Sequence, residues 1–405
     1  MSPRKNRIPE LDGLRVLMIF IVSWYHIWQQ SWLEPMIRIE GLGIRWSLDW
    51  LVRSGYVWVD GTVLMSVFLL FLPWAEARKG GTPLPDRHEF WFRRAKRIIP
   101  GYYFIILLTL GAVCLPWGLY TSGPFLVKDI VTHLTFTFPF FTDTYQASPL
   151  GGAAWTLAIL AQGYALFPSI AGSAVKRPWT TAGILAGICF GFRAWCLWGL
   201  SSYHMVVNQL INFLDLYALG IGMGYGYIAI RDWQEKKEKT AQRWLAAGAT
   251  VLFIGCFIGL GQMLRVQAGT GSIEKLQANQ MIYRPVFGLL FGGLMLTAPF
   301  CIWPLRKIMG NRVTRFLGGI SMNYYLIHQT LAVHLKRIHF PPYEAEYPNM
   351  AGEQPWQMQY TMVSFGVSLV LAIGITYLVE RPGGKLMGRI WGAFRSPPKP
   401  PSDAP

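Results

Sequence analysis

What most constrains this chain is its succession of stretches of about twenty residues almost free of charge, the length that crosses roughly 30 Å of hydrocarbon as a helix. Apolar runs at 16–25, 63–72 and 104–115 lie inside such stretches. Of 405 residues, 52% are hydrophobic and 14% charged, where soluble domains carry about a quarter charged. A water-soluble core cannot hold that much apolar surface. The fold class expected is an all-α integral membrane protein of about ten transmembrane helices, near 13–33, 56–76, 101–120, 152–174, 179–200, 205–230, 243–263, 280–302, 313–335 and 359–379. The stretch 124–141 is long enough but carries Lys128 and Asp129, so it reads as an interfacial or re-entrant piece.

A net charge of +16 would suggest a nucleic-acid partner in a soluble protein, but its placement argues against one. With the N-terminus inside, the loops and tails on that side hold 26 Lys and Arg and the opposite loops 8, while Arg15, Arg193 and Arg284 fall inside spans. This is the positive-inside pattern, and it implies an even number of spans with both termini cytoplasmic. The domains expected are a cytoplasmic N-terminal tail over 1–12, a ten-helix membrane domain over 13–380, and a cytoplasmic, partly disordered C-terminal tail over 381–405 that ends in a proline-rich run. The setting expected is a cell membrane crossed many times, with membrane lipids as neighbours and homo-oligomers left open. The five cysteines lie in or at the ends of apolar spans without close spacing, so neither a disulfide framework nor a metal site is expected. No small-residue cleavage site follows the first apolar run, so that span reads as retained structure. Chemistry, if any, must sit among the helices.

The first span, IPELDGLRVLMIFIVSWYHIWQQ, contains Arg15 and His26. Eleven residues at 100° each end about 20° past three full turns, so the two side chains share a face about 16 Å apart along the axis. Ionisable groups inside spans are costly and point to function by default, and an imidazole suits proton transfer near neutral pH. An interhelical hydrogen bond for His26 and a snorkelling Arg15 explain the pair as well. Just before the third span, HEFWFRRAKRIIPGYY sets Arg94 and Arg97 at i, i+3 with Arg93 and Lys96 beside them. Guanidinium forks match phosphate oxygens, and basic clusters next to spans also bind anionic lipid.

The fourth span opens as GGAAWTLAILAQGYALFP. Trp155 and Tyr164 are aromatics with a polar tip, and Gln162 is a polar group that serves either a substrate or the packing between helices. In the ninth span, LGGISMNYYLIHQTL, Ser321, Tyr325 and His328 stand at i, i+4 and i+7 on one helix face. Such a face lines a cavity or a neighbour, not lipid.

Taken in order, ELDGLR with His26, FRRAKRIIPGYY, WTLAILAQGYALFP, LGGISMNYYLIH and a closing VERP resemble the acyltransferase-3 family of integral membrane acyltransferases. FLDLYALGIGMG in the sixth span is similar to that family's Gly-rich helix. The resemblance implies a ten-helix domain that takes an acyl group, typically acetyl, from acyl-CoA (acetyl-CoA) as co-substrate. It passes that group to a hydroxyl-bearing acceptor: a glycan, a sugar or an exported small molecule. No tightly bound cofactor is implied. Carried over residue by residue, the family's first-helix Arg and His fall on Arg15 and His26, its RXXR motif on Arg94 and Arg97, and its ninth-helix Ser, Tyr and His on Ser321, Tyr325 and His328. With the neighbouring polar groups added, the roles expected are His26 as catalytic, Arg15, Arg94, Arg97 and Lys96 as donor-binding, and Trp155, Gln162, Ser321, Tyr325 and His328 as substrate-binding. One departure stands out. Many members have a glutamate in the fourth-helix motif, and here that place is Leu160. Either the carboxylate is dispensable, a neighbour such as Gln162 replaces it, or the chain is a catalytically weakened homologue. The rival class is a transporter or flippase, since His26, Arg193 and Arg284 inside spans also suit a substrate path, although the paired helix breaks of a repeated architecture are not found.

Overall fold

Ten long helices carry the chain in the computed structural model, which describes residues 7–395. They are α1 Glu10–Ser31, α2 Trp58–Gly80, α3 Arg87–Thr109, α4 Trp155–Lys176, α5 Pro178–Gly199, α6 Leu214–Glu235, α7 Lys239–Ala268, α8 Ile273–Thr297, α9 Arg312–Arg337 and α10 Trp356–Gly374. An eleventh, α11 Arg381–Arg395, continues from α10 through a π-helical turn over Ile375–Glu380. Among the described residues, nine helices are long and apolar enough to cross a membrane. Of the ten, α9 alone falls short on composition, because Ser321, Asn323, His328, Gln329 and His334 dilute its apolar content. It is nonetheless packed between α1 and α10, and the membrane fold class read from the sequence holds.

Burial separates the centre from the rim. In the apolar window of α2, 78% of residues are buried, against 17% in α7, so α2 is the axis of the bundle and α7 lies at its edge. Glycines allow the close packing at that axis, as is common where small residues let two membrane helices approach. A Cβ on Gly220 would sit 2.7 Å from Val67 and one on Gly224 would sit 2.7 Å from Phe71, whereas Gly222 and Gly226 on the other side of α6 face open space. The Gly-rich pattern of the sixth span is thus a contact stripe on α2. Large apolar side chains such as Trp179, Trp198, Val251 and Leu378 point outward, as a lipid-facing surface requires.

Three features differ from the sequence expectation or refine it. The helix α3 begins at Arg87, N-capped by Asp86, whose side chain accepts from the Glu89 amide at 2.7 Å; the basic cluster therefore lies within the helix and not ahead of it. The segment after α1 folds into a small antiparallel hairpin, Met36–Ile39 against Ile44–Ser47, turned at Gly43 with φ +64°. The stretch read as interfacial or re-entrant contains a helix of only 12 residues, Gly123–Leu134, too short to span. Lys128 there donates to Asp143 at 2.7 Å, which holds that carboxyl below its ordinary range. Asp129 points inward instead, fully buried, accepting from Tyr120 at 2.8 Å and Ser148 at 2.7 Å and lying 3.1 Å from His133.

The C-terminal segment is not a loose tail throughout. Residues 381–395 form α11, docked on α3 by the stacked rings of Phe92 and Trp391 with centroids 4.5 Å apart. The first six residues of the expected N-terminal tail and the proline-rich run 396–405 lie outside the described residues.

Candidate active site

The helices α1 and α9 pack side by side along their lengths and set His26 against His328, with ring centroids 5.3 Å apart. His26 is 9% exposed and His328 fully buried. Their proton positions follow from their partners. The Nδ1 of His26 lies 3.1 Å from Gln29 Oε1, while Gln29 Nε2 donates to the Tyr25 hydroxyl at 2.9 Å. An amide oxygen only accepts, so Nδ1 carries the hydrogen and Nε2 keeps its lone pair. His328 repeats the arrangement with a backbone partner: its Nδ1 is 3.3 Å from the Tyr324 carbonyl, and its Nε2 has no hydrogen-bond partner among the described residues. Two imidazoles thus meet, each with a basic nitrogen uncommitted to a structural bond.

The rest of the polar face of α9 surrounds them. Tyr325 lies 5.6 Å from His328 between ring centroids, and its hydroxyl shares a 2.7 Å hydrogen bond with Thr156 of α4. One turn earlier, Ser321 donates to the Gly318 carbonyl of its own helix at 3.0 Å. Trp155 opens α4, partly buried between two apolar clusters. Its approach depends on Gly152, which has φ +54° and lies where a Cβ would stand 2.9 Å from the Thr330 hydroxyl of α9.

Further along the same face of α1, Arg15 remains 32% exposed although it sits inside a span, with Asp12 at 3.9 Å. Its electrostatic neighbours include Arg97 and Tyr164, and Arg97, itself exposed, also acts on Glu380, the last residue of the π-helical turn between α10 and α11. Arg94 stands one turn back on α3, its guanidinium 5.9 Å over the Phe90 ring. Arg15 and Arg97, from separate helices, thus lie within electrostatic reach of each other at the opposite end of α1 from His26.

One expected donor residue turns to α11, and one expected substrate residue is bonded within the fold. The ammonium of Lys96 lies against α11, 2.9 Å from where a Cβ on Gly388 would stand. Gln162 donates to the Phe136 carbonyl at 3.0 Å, holding a turn in which Phe136 takes φ +59°. Its amide is therefore occupied by the fold, and it does not stand in for the carboxylate that Leu160 displaces; Leu160 packs against the main core. The group that orients His26 is Gln29, a neutral amide from the same helix.

Several buried polar residues have partners that the sequence did not indicate. Arg284 pairs with Asp60 at 3.0 Å, and Arg193 with Asp215 at 2.8 Å, all nine-tenths or more buried. Asn212 joins the pairs, its carbonyl accepting from Arg193 at 2.6 Å and from Arg284 at 3.1 Å. Asp60 and Asp215 were visible as acidic residues inside spans, and each required a cation in another span. The two arginines that favoured a substrate path are thereby engaged by aspartates of the bundle. On α9, Asn323 donates to Thr376 at 2.8 Å and to Glu380 at 2.6 Å, and its side-chain oxygen lies 2.5 Å from where a Cβ on Gly101 would stand. That close approach ties α3, with its arginines, to α9 with its histidines.

A family profile described as an acyltransferase domain, acyltransferase-3, matches residues 8–381. Comparison with curated proteins and with solved structures gives no match.

Proposed function

Because this chain belongs to the acyltransferase-3 family, whose profile spans residues 8–381, we propose that it is an O-acyltransferase of a cell membrane. In this reading acyl-CoA, with acetyl as the first acyl group to test, donates to a hydroxyl of a glycan, sugar or exported small molecule. The observation that carries the reading is the arrangement along α1: paired imidazoles at one end of a shared face and two converging arginines, Arg15 and Arg97, at the other. With both termini cytoplasmic, the arginines hold the donor's phosphates on the side where acyl-CoA is made, and the thioester reaches along the face toward His26.

His26 Nε2 takes the proton of the acceptor hydroxyl as its oxygen attacks the thioester carbonyl. The tetrahedral intermediate collapses with cleavage of the C–S bond, and the proton passes from His26 to the departing thiolate, leaving an ester and free coenzyme A. Gln29 fixes the tautomer that makes Nε2 the base, and His328 is positioned to share the proton. Tyr325 is the hydroxyl best placed to donate to the carbonyl oxygen as charge develops on it. Alignment of donor and acceptor in one cleft accounts for much of the acceleration, and this scheme needs no acyl-enzyme.

The test is direct. Purified protein in lipid nanodiscs is given acetyl-CoA with a panel of sugars and small alcohols, and thiol release is followed beside ester formation. Acceptor-dependent release supports the proposal; transport of a substrate in proteoliposomes with no thioester turnover would replace it with the transporter reading.

A further inference from the structure

The antiparallel contact between α3 and α11 has a consequence for where a polyanion can bind. Phe92 stacks on Trp391, Lys96 lies against Gly384 and Gly388, and Pro100 lies against Gly383, so the chain directions oppose. On α3, Arg93 and Arg97 lie roughly 60–100° round from that contact face, and on α11 the stripe Arg381, Lys385, Arg389 lies roughly 75–155° round in the same rotational sense. In an antiparallel pair, flanks offset in the same sense turn to the same side, so the two stripes face one groove. All five of these cations are exposed. The carboxylates beside them are Glu89, which pairs with Arg93 at 2.7 Å, and Glu380. The opposite flank of α11 is apolar and also exposed, with Leu386 at 58% and Ile390 at 50%. A helix with one docked, one cationic and one apolar face lies at a membrane boundary with its cations turned to phosphates.

We propose that the groove between α3 and α11 is a polyphosphate site, with Arg93 and Arg97 on one wall and Arg381, Lys385 and Arg389 on the other. It receives the 3′-phosphorylated adenosine end of the acyl donor, so that the diphosphate lies between Arg97 and Arg15 and the pantetheine arm leads on toward His26. The proposal rests on the acyl-CoA reading above and adds to it α11, which the donor motif on α3 does not include.

The experiment measures the affinity of the full chain, in nanodiscs of zwitterionic lipid, for coenzyme A and for 3′-dephospho-coenzyme A. For Lys385→Ala/Arg389→Ala, affinity for coenzyme A is expected to fall about tenfold, roughly 1.4 kcal/mol, and the preference for the 3′-phosphorylated form is expected to shrink. Leu386→Ala/Ile390→Ala, on the opposite flank, serves as the folding control and should bind as wild type does. Wild-type binding of coenzyme A with unchanged affinity in the Lys385/Arg389 variant would overturn the groove while leaving the donor intact. Failure of the wild type to bind coenzyme A at all would remove the donor reading and the groove's ligand with it. Loss of co-purifying anionic lipid from the variant at unchanged coenzyme A affinity would assign the groove to lipid headgroups and overturn the proposal.

Discussion

His26 and His328 meet with their rings 5.3 Å apart, the first held by Gln29 and the second by the backbone of its own helix. Each keeps one basic nitrogen free of structural bonds, and only His26 retains some exposure. This asymmetry supports the proposed roles, with His26 toward the acceptor and His328 behind it.

If His328 only shares a proton that His26 has taken, its loss slows turnover without abolishing it. His328→Ala is expected to lower kcat by roughly ten- to a hundredfold, toward the lower end of what a positioned acid or base contributes. Coenzyme A affinity should be unchanged, as measured by equilibrium binding beside initial rates. A loss of donor affinity of the same size would place His328 in the donor site instead.

The orienting amide gives a second test. Gln29→Leu removes the acceptor for Nδ1–H and frees the ring to take the other tautomer, so kcat should fall at least about tenfold. Gln29→Glu restores an acceptor at the same atom and should recover most of that activity. Equal rates in all three proteins would show that the imidazole is oriented by something other than this side chain.

The buried pair of Asp60 and Arg284 predicts a non-additive effect on stability. Arg284→Met leaves the Asp60 carboxylate buried without its cation and should destabilise the folded protein by about 3–5 kcal/mol. Adding Asp60→Asn removes the orphaned charge and should recover part of the loss. Thermal unfolding of the single and double variants in one detergent reads the difference; a double variant less stable than the sum of the singles would contradict the pairing.

Glycines in contact and in the open should respond with opposite signs. Gly101→Ala drives a methyl into Asn323 and is expected to cost about 1–3 kcal/mol, loosening α3 from α9. Gly222→Ala, in open space on α6, should be neutral or stabilise by up to about 1 kcal/mol. The melting temperatures of the two variants, compared with wild type, make the check.

The membrane fold was legible because helix length and charge placement answer to the bilayer, which acts alike on every span. The pairing of Arg15 with a face that leads to His26 was legible for a related reason, since helical periodicity is fixed. What sequence could not supply was the partner of each polar group. Lys96 and Gln162 occupy motif positions, yet Lys96 packs against the glycines of α11 and Gln162 donates to the Phe136 carbonyl, contacts that only the assembled fold makes. Asp60 and Asp215 stood in plain view inside spans, but nothing local indicates which arginine each will meet. The Leu160 departure is similar: the orienting group for His26 was three residues away at Gln29, a position without meaning until the rotamers were seen.

His26 is proposed as the base for acyl transfer, and its role is read by comparing purified wild type with His26→Ala for acetyl-CoA-dependent ester formation at saturating donor and acceptor. Monodispersity and coenzyme A affinity are verified for both proteins. A fall in kcat of roughly a hundredfold or more at retained coenzyme A affinity is predicted; undiminished transfer by the correctly folded variant would contradict it.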